Sequence, residues 1–242
     1  MILNSGLIYS IFPSGVPAPA YFGALFLVLV AAYLLGSINS AIIVSRLLYG
    51  EDVRTKGSGN AGMTNMLRNY GGRAAALTAV GDVLKTAVAV FLAGAVFGFS
   101  YVGGVSLGEY CYVAGLFAVL GHIFPIYYKF RGGKGVLVTA ATALILSPVC
   151  FAILLVIFFL IIRISKFMSL GSVSVAFLYP IVLTGYFGMF SLKTPGLITL
   201  SAVILAIIIV VCHRENLRRI SLGTENKLSF GKKKETNDDK GE

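Results

Sequence analysis

Three polar, glycine-rich stretches interrupt an otherwise apolar chain, and their residue types are those that hold phosphate. The first starts at Gly36-Ser37, at the end of an apolar run, and continues through Arg54, Gly57, Ser58, Gly59, Asn60, Gly62, Thr64 and Asn65 to Arg68. Small residues leave backbone N–H groups open to a ligand. The hydroxyls, amides and guanidinium groups beside them are all donors, so the stretch could form an anion nest. A flexible turn uses the same glycines but seldom packs so many donors together. The second stretch, Gly121 to Thr139, carries His122, Pro125 and the run Gly132, Gly133, Lys134, Gly135 just before an apolar segment that starts at Val136. That order predicts an ammonium beside the exposed amides that open a helix, a setting for phosphate. It is not a nucleotide loop, because Gly135 stands where magnesium would need Ser or Thr and the spaced first glycine is missing. The third stretch, His213 to Lys227, follows the last apolar run and adds His213, Asn216, Gly223, Thr224 and Glu225. These either touch substrate or fix the tail against the body.

Two further groups lie inside apolar runs. Asp82 and Lys85 are three positions apart and share a helix face, and such a pair is costly in a membrane unless it faces the interior. Mutual neutralisation is the simplest role for it. His122 lies within one turn of Pro125 and has a titration range suited to proton transfer, although a lone histidine at such a boundary is as often structural. Neither His122 nor His213 is followed five residues later by Asp, and no Cys has a base nearby in sequence, so a covalent acyl-enzyme is not indicated. No carboxylate cluster has the spacing of a metal site, and neither metal nor cofactor is expected.

The elements that must position these groups are membrane helices. Of 242 residues, 57% are apolar and only 12% charged, far from the roughly 25% charge of soluble domains. The net charge of +10 could suit nucleic acid if it were spread over a surface. Here it is confined between apolar runs long enough to cross a bilayer, so no nucleic-acid partner is expected and the lipid bilayer is. The runs are Tyr21 to Val44, Ala74 to Tyr101, Tyr110 to Tyr128, Val136 to Ile162, Phe167 to Phe190 and Gly196 to Cys212. Lys and Arg crowd into 46–73, 129–134, 163–166 and the C-terminal tail, which places those segments in the cytoplasm. This charge bias divides Val136 to Ile162 into two short spans at Ser147-Pro148. The expected fold is therefore all-α, a polytopic transmembrane bundle of about seven spans, N-terminus out and C-terminus in. Residues 1–228 form one domain without a cleaved signal peptide, and 229–242 form a charged, disordered tail. Cys111, Cys150 and Cys212 read as reduced core residues.

Taken together and in order, the three clusters resemble the acyl-phosphate:glycerol-3-phosphate acyltransferases of bacterial membranes, the PlsY family. The resemblance runs from about Gly36 to Lys227 and also includes Asp52, Pro125, Phe130, Thr139, Ser169-Leu170 and Arg219. Met63 replaces the family's usual small Ala, Leu137 and Val138 lengthen the step to Thr139, and Thr86 stands where Gly is common. The resemblance implies transfer of an acyl group from acyl phosphate to the 1-hydroxyl of sn-glycerol 3-phosphate, giving lysophosphatidic acid and inorganic phosphate. It places the enzyme in the bacterial inner membrane with its active site on the cytoplasmic side. Such a donor is already activated, so position and charge compensation suffice.

On this reading Ser37, Arg54, Ser58, Asn60, Asn65, Arg68 and Asn216 hold acyl phosphate. Gly132, Gly133, Lys134 and Gly135 hold glycerol 3-phosphate, and Thr64, Lys85 and Glu225 complete the binding set. His122 orients or deprotonates the attacking hydroxyl, unless a substrate phosphate oxygen is the base, and joins Ser37, Arg68 and Asn216 as the catalytic group. The alternative from another class is a small-anion transporter without chemistry, since basic glycine loops on one face also capture phosphate.

Overall fold

The computed structural model describes residues 6–102, 105–106, 108–190 and 194–228. A short helix α1 (Leu7–Ile11) precedes α2 (Ala18–Ser37) and α3 (Ser40–Tyr49), and a 3-10 turn at Val53–Thr55 leads into α4 (Met63–Phe97). A two-stranded hairpin, β1 (Tyr101–Val102) and β2 (Val105–Ser106), joins α4 to α5 (Glu109–Ile123), pairing Tyr101 with Ser106 and Val102 with Val105. After a 3-10 turn at Ile126–Tyr128 come α6 (Val136–Leu146), α7 (Pro148–Ser165), α8 (Met168–Met189), α9 (Gly196–Cys212) and α10 (Arg214–Ser221). The expected tail, 229–242, lies outside the described residues.

The molecule is a polytopic helical membrane bundle. Among the described residues five helical segments are long and apolar enough to cross a bilayer, counting α2 with α3 as one and α5 with the turn after it as another, or six if α9 and α10, bent by 53°, form one span. Large apolar side chains such as Val156, Phe159 and Ile164 are exposed on α7, as a lipid-facing helix requires. The small residues lie at the helix contacts instead. A methyl group at Gly36 would stand 2.2 Å from the Ala118 carbonyl oxygen, and one at Gly121 would stand 2.2 Å from that of Tyr33. Only glycine lets α2 and α5 approach this closely.

Several element boundaries differ from the sequence expectation. The run Tyr21 to Val44 is broken at Ile38-Asn39, where Asn39 caps α3 by accepting from the Ile42 N–H at 3.1 Å. Helix α4 begins at Met63, well before Ala74, and is interrupted at Gly71 (φ 81°), so Arg68 and Arg73 are helical rather than in a loop. The break expected at Ser147-Pro148 is present, because Pro148 supplies no amide and fits the first turn of a new helix. Its two products are unequal. Helix α6 is only 11 residues long, whereas α7 continues past Ile162 to Ser165 and has 18.

Residues 104–108 have the Gly-x-Ser-x-Gly spacing of a nucleophile elbow, but Ser106 is buried and its Oγ accepts from the Gly108 N–H at 3.1 Å. His122 sits at the far end of α5, about 20 Å away along the helix axis. All three cysteines are free thiols.

Candidate active site

The break between α2 and α3 organises the intramembrane charges. A helix that ends at Ser37 leaves carbonyls without intrahelical donors. The Lys85 ammonium donates to the Ile38 carbonyl at 2.8 Å and pairs with Asp82 at 2.8 Å. Ser40 donates to the other side of the network, Oγ to Asp82 Oδ1, at 2.9 Å. Lys85 Nζ also lies 3.0 Å from His122 Nδ1. An ammonium can only donate, so neutral His122 accepts at Nδ1 and carries its proton on Nε2. That ring edge rests on Gly133, where a methyl group would meet Nε2 at 2.0 Å. Lys85 is thus committed to protein groups.

Arg54 is committed in the same sense. Its guanidinium forks onto Asp52 at 2.9 and 2.7 Å, and Nη1 donates to the Tyr128 and Arg131 carbonyls at 3.0 Å each. It clamps the first polar stretch onto the second. The Arg54 guanidinium and backbone N–H hold the Asp52 carboxyl well below the usual carboxylate range, against its partial burial. Asn65 performs a similar task, donating to the Val53 and Lys56 carbonyls and accepting from the Ser58 N–H, each at 3.1 Å. Ser37 donates to the Tyr33 carbonyl at 2.9 Å and is buried. The amides of Gly132 and Gly133 donate to the Ile123 and His122 carbonyls at 3.1 Å, so they do not form the open cradle expected from the sequence. In this stretch the backbone donors open to a ligand are those in the first turn of α6, from Val136, whose N–H groups have no intrahelical partner.

These clamps leave a cavity of about 750 Å³ with two unlike ends. Its polar end is lined by Ser58, Asn60, Thr64, Asn65 and Arg68 from the first stretch, Lys134 and Gly135 from the second, and Asn216 and Glu225 from the third. His122 lines it as well; Ser37, Arg54, Lys85, Gly132 and Gly133 do not. Lys134 Nζ donates to Asn216 Oδ1. Burial, and after it the neighbouring Arg219 charge, pulls the Lys134 ammonium below the ordinary lysine value, partly offset by Glu225. Glu225 gathers the third stretch by accepting from Ser169 at 2.9 Å, Asn216 at 2.6 Å and Arg219 at 2.8 Å. Burial pushes its carboxyl up, but these hydrogen bonds together outweigh burial and hold it below the usual value. Arg68 is exposed at the cavity and has no carboxylate partner among the described residues.

Sequence reasoning gave Arg219 and Ser169 no role and left His213 open between touching substrate and fixing the tail; all three line this end. His213 is buried, and its Nδ1 lies 2.8 Å from the Ile209 carbonyl. A carbonyl only accepts, so Nδ1 carries the proton and Nε2 is a free acceptor. The signal was its position, one residue beyond an apolar run and three before Asn216. The other end of the cavity is apolar and lies between α6, α7 and α8, walled by Ala140, Ala143, Leu154, Leu155, Val175 and Tyr179.

A helical membrane bundle whose cavity joins a cation-rich end to an apolar one can take a ligand with a phosphate head and an apolar tail. This chain belongs to the glycerol-3-phosphate acyltransferase family, whose sequence model matches residues 26–223. It is 41% identical over 209 residues to the glycerol-3-phosphate acyltransferase of Clostridioides difficile (strain 630), covering 86% of this chain and 97% of that one. Over 204 residues it is 36% identical to the Bacillus subtilis (strain 168) enzyme, covering 84% and 97%. Its fold is similar to that of PlsY (YgiH), an integral membrane glycerol 3-phosphate acyltransferase, in the crystal structure of the glycerol 3-phosphate form. The TM-score is 0.74 at 28% identity, over 86% of this chain and 96% of that one. The lysophosphatidic acid form of the same protein gives a TM-score of 0.72 at 26% identity.

Proposed function

We propose that this acyltransferase moves a fatty acyl group from acyl phosphate to the 1-hydroxyl of sn-glycerol 3-phosphate, releasing lysophosphatidic acid and inorganic phosphate. The observation that carries this reading is the two-ended cavity. Three cations, Arg68, Lys134 and Arg219, meet at one end against the carboxylates Glu225 and Asp82, and apolar side chains of α6, α7 and α8 wall the other. Two phosphate-bearing reactants need that surplus, and a chain of methylenes needs that slot.

In the reaction the glycerol hydroxyl oxygen attacks the acyl carbonyl carbon. The new C–O ester bond forms and the C–O bond to phosphate breaks, its electron pair leaving on the phosphate oxygen. Charge grows on that oxygen, where Arg68 and the donors of the first stretch face it. Lys134, at the opening of α6, holds the phosphate of the acceptor, and Asn216 fixes the lysine. The hydroxyl proton passes to an acceptor beside it. His213 Nε2 is one such acceptor, and the acyl phosphate brings another in its own oxygens. His122, whose free nitrogen carries a proton, positions Gly133 and the loop that bears Lys134. The active site faces the cytoplasm of a bacterial inner membrane, the side favoured by the lysines and arginines around it.

Purified protein given glycerol 3-phosphate with either palmitoyl phosphate or palmitoyl-CoA tests this directly. Lysophosphatidate and phosphate should appear with the acyl phosphate, at a rate that a chelator does not change. Product from palmitoyl-CoA alone overturns the donor assignment.

A further inference from the structure

The apolar slot has a floor. Tyr179 is 2% exposed, lines the cavity, and its hydroxyl has no hydrogen-bond partner among the described residues. It is packed in the same core as Leu146, Cys150 and Leu183. Nearer the polar end the walls contributed by α6 and α8 are small, namely Ala140, Ala143, Val175 and Ala176. A chain entering from the head therefore has room until it meets the phenol ring.

The distance can be read from the helix. Ser169 touches Glu225 in the polar end, and Tyr179 lies further along the same α8. At about 1.5 Å per residue the step is about 15 Å. A fully extended alkyl chain advances about 1.25 Å per carbon, given tetrahedral C–C bonds of about 1.5 Å, so about 12 carbons fit between head and floor.

We propose that Tyr179 is the specificity-determining floor of the acyl slot and sets the longest chain the enzyme uses at full efficiency. The inference rests on the acyl phosphate reading above. The chain enters from lipid, which is as apolar as the slot, so a short chain loses little on binding. A chain longer than the slot must bend against a packed ring or force its end out past Leu155, the half-exposed residue of the α7 wall. Forcing carbons into a filled space costs roughly 5- to 150-fold in equilibrium terms. The expected profile is a plateau with a step down, not a steady rise with length.

The test is kcat/KM with saturated acyl phosphates from 10 to 20 carbons at fixed glycerol 3-phosphate, for the wild-type protein and three variants. Tyr179→Ala removes the ring and should move the step about four carbons longer at about 1.25 Å per carbon. Tyr179→Phe keeps the ring and should leave the step in place. Val175→Phe adds bulk higher in the slot, at a half-buried position, and should move the step shorter. It carries the test alone should Tyr179→Ala fail to fold. One shared profile for all the proteins, while every one of them uses acyl phosphate, overturns the floor and leaves the proposed reaction standing. A wild-type protein that uses no acyl phosphate of any length overturns both.

Discussion

The Lys85 ammonium donates at 2.8 Å to the carbonyl of Ile38, the residue at which α2 stops being a helix. The charge that is hardest to place in a membrane is thereby used to satisfy the backbone that is hardest to leave bare. Asp82 completes the arrangement at 2.8 Å, with both side chains almost fully buried. Removing one charge strands the other. Lys85→Met should destabilise the protein by roughly 3 to 5 kcal/mol, and Lys85→Met with Asp82→Asn by clearly less. Thermal unfolding in one detergent, with the double variant as unstable as the single, would refute this account.

Lys134 and Arg68 should separate the two phosphates. Losing a charge-assisted contact costs roughly 1.5 to 3 kcal/mol, so Lys134→Ala should raise KM for glycerol 3-phosphate about 10- to 150-fold. Arg68→Ala should instead lower kcat or raise KM for acyl phosphate. Kinetics with each substrate varied in turn decide it. A Lys134→Ala enzyme with an unchanged glycerol 3-phosphate KM and a raised acyl phosphate KM reverses the two assignments.

The two histidines should behave differently because their protons sit on different nitrogens. His213 has its free acceptor at the cavity, so His213→Gln should lower kcat about 100-fold or more with little change in either KM. His122→Gln should act through the loop that it supports, lowering thermal stability together with glycerol 3-phosphate affinity. If His213→Gln keeps its kcat, the proton goes to substrate phosphate.

Glu225 joins α8 and α10 in one pocket wall, and its carboxyl is held below the ordinary value. A depressed carboxyl contributes stability that is fully present above its unfolded value, about 4.3, and that fades as pH falls through the folded value. The wild-type protein should therefore lose unfolding temperature below about pH 4.3 more steeply than Glu225→Gln. Parallel curves for the two would remove Glu225 from that role.

Orientation can be read by labelling. Cys placed at exposed Ser14 or at Thr194 should react with an impermeant thiol reagent outside intact cells, whereas Cys at exposed Ser58 or Ser221 should not. Cys at Ser165 tests the two segments around Ser147, since labelling there from outside would place the C-terminal end of α7 on the outer face.

The helices and their mutual dependence were not equally legible in the residues. Pro148 marked its break because its ring and missing amide act locally. Ile38-Asn39 looked like the tail of an apolar run, since the ammonium that makes the break tolerable comes from Lys85 on another helix. The start of α4 was hidden for a related reason: Asn65, Arg68 and Asn69 are polar because they face a loop and a pocket, not because the backbone there is irregular. The same limit applied to the site. Residue type marked Lys134, Asn216 and Arg68 as phosphate ligands, and they line the cavity. It could not show that Arg54 and the amides of Gly132 and Gly133 have their donors taken by carbonyls and a carboxylate of the chain itself, because partner choice is a tertiary fact.

Leu155, half-exposed on a wall of the slot, has a consequence for how such an enzyme is measured. On the proposed reaction, a slot bordered by lipid takes its acyl donor from the bilayer, while glycerol 3-phosphate arrives from water. The donor's concentration is then a mole fraction in the surrounding lipid rather than a molarity. Adding inert lipid or detergent at constant total donor should slow the reaction by surface dilution, and the same addition should leave the KM for glycerol 3-phosphate untouched.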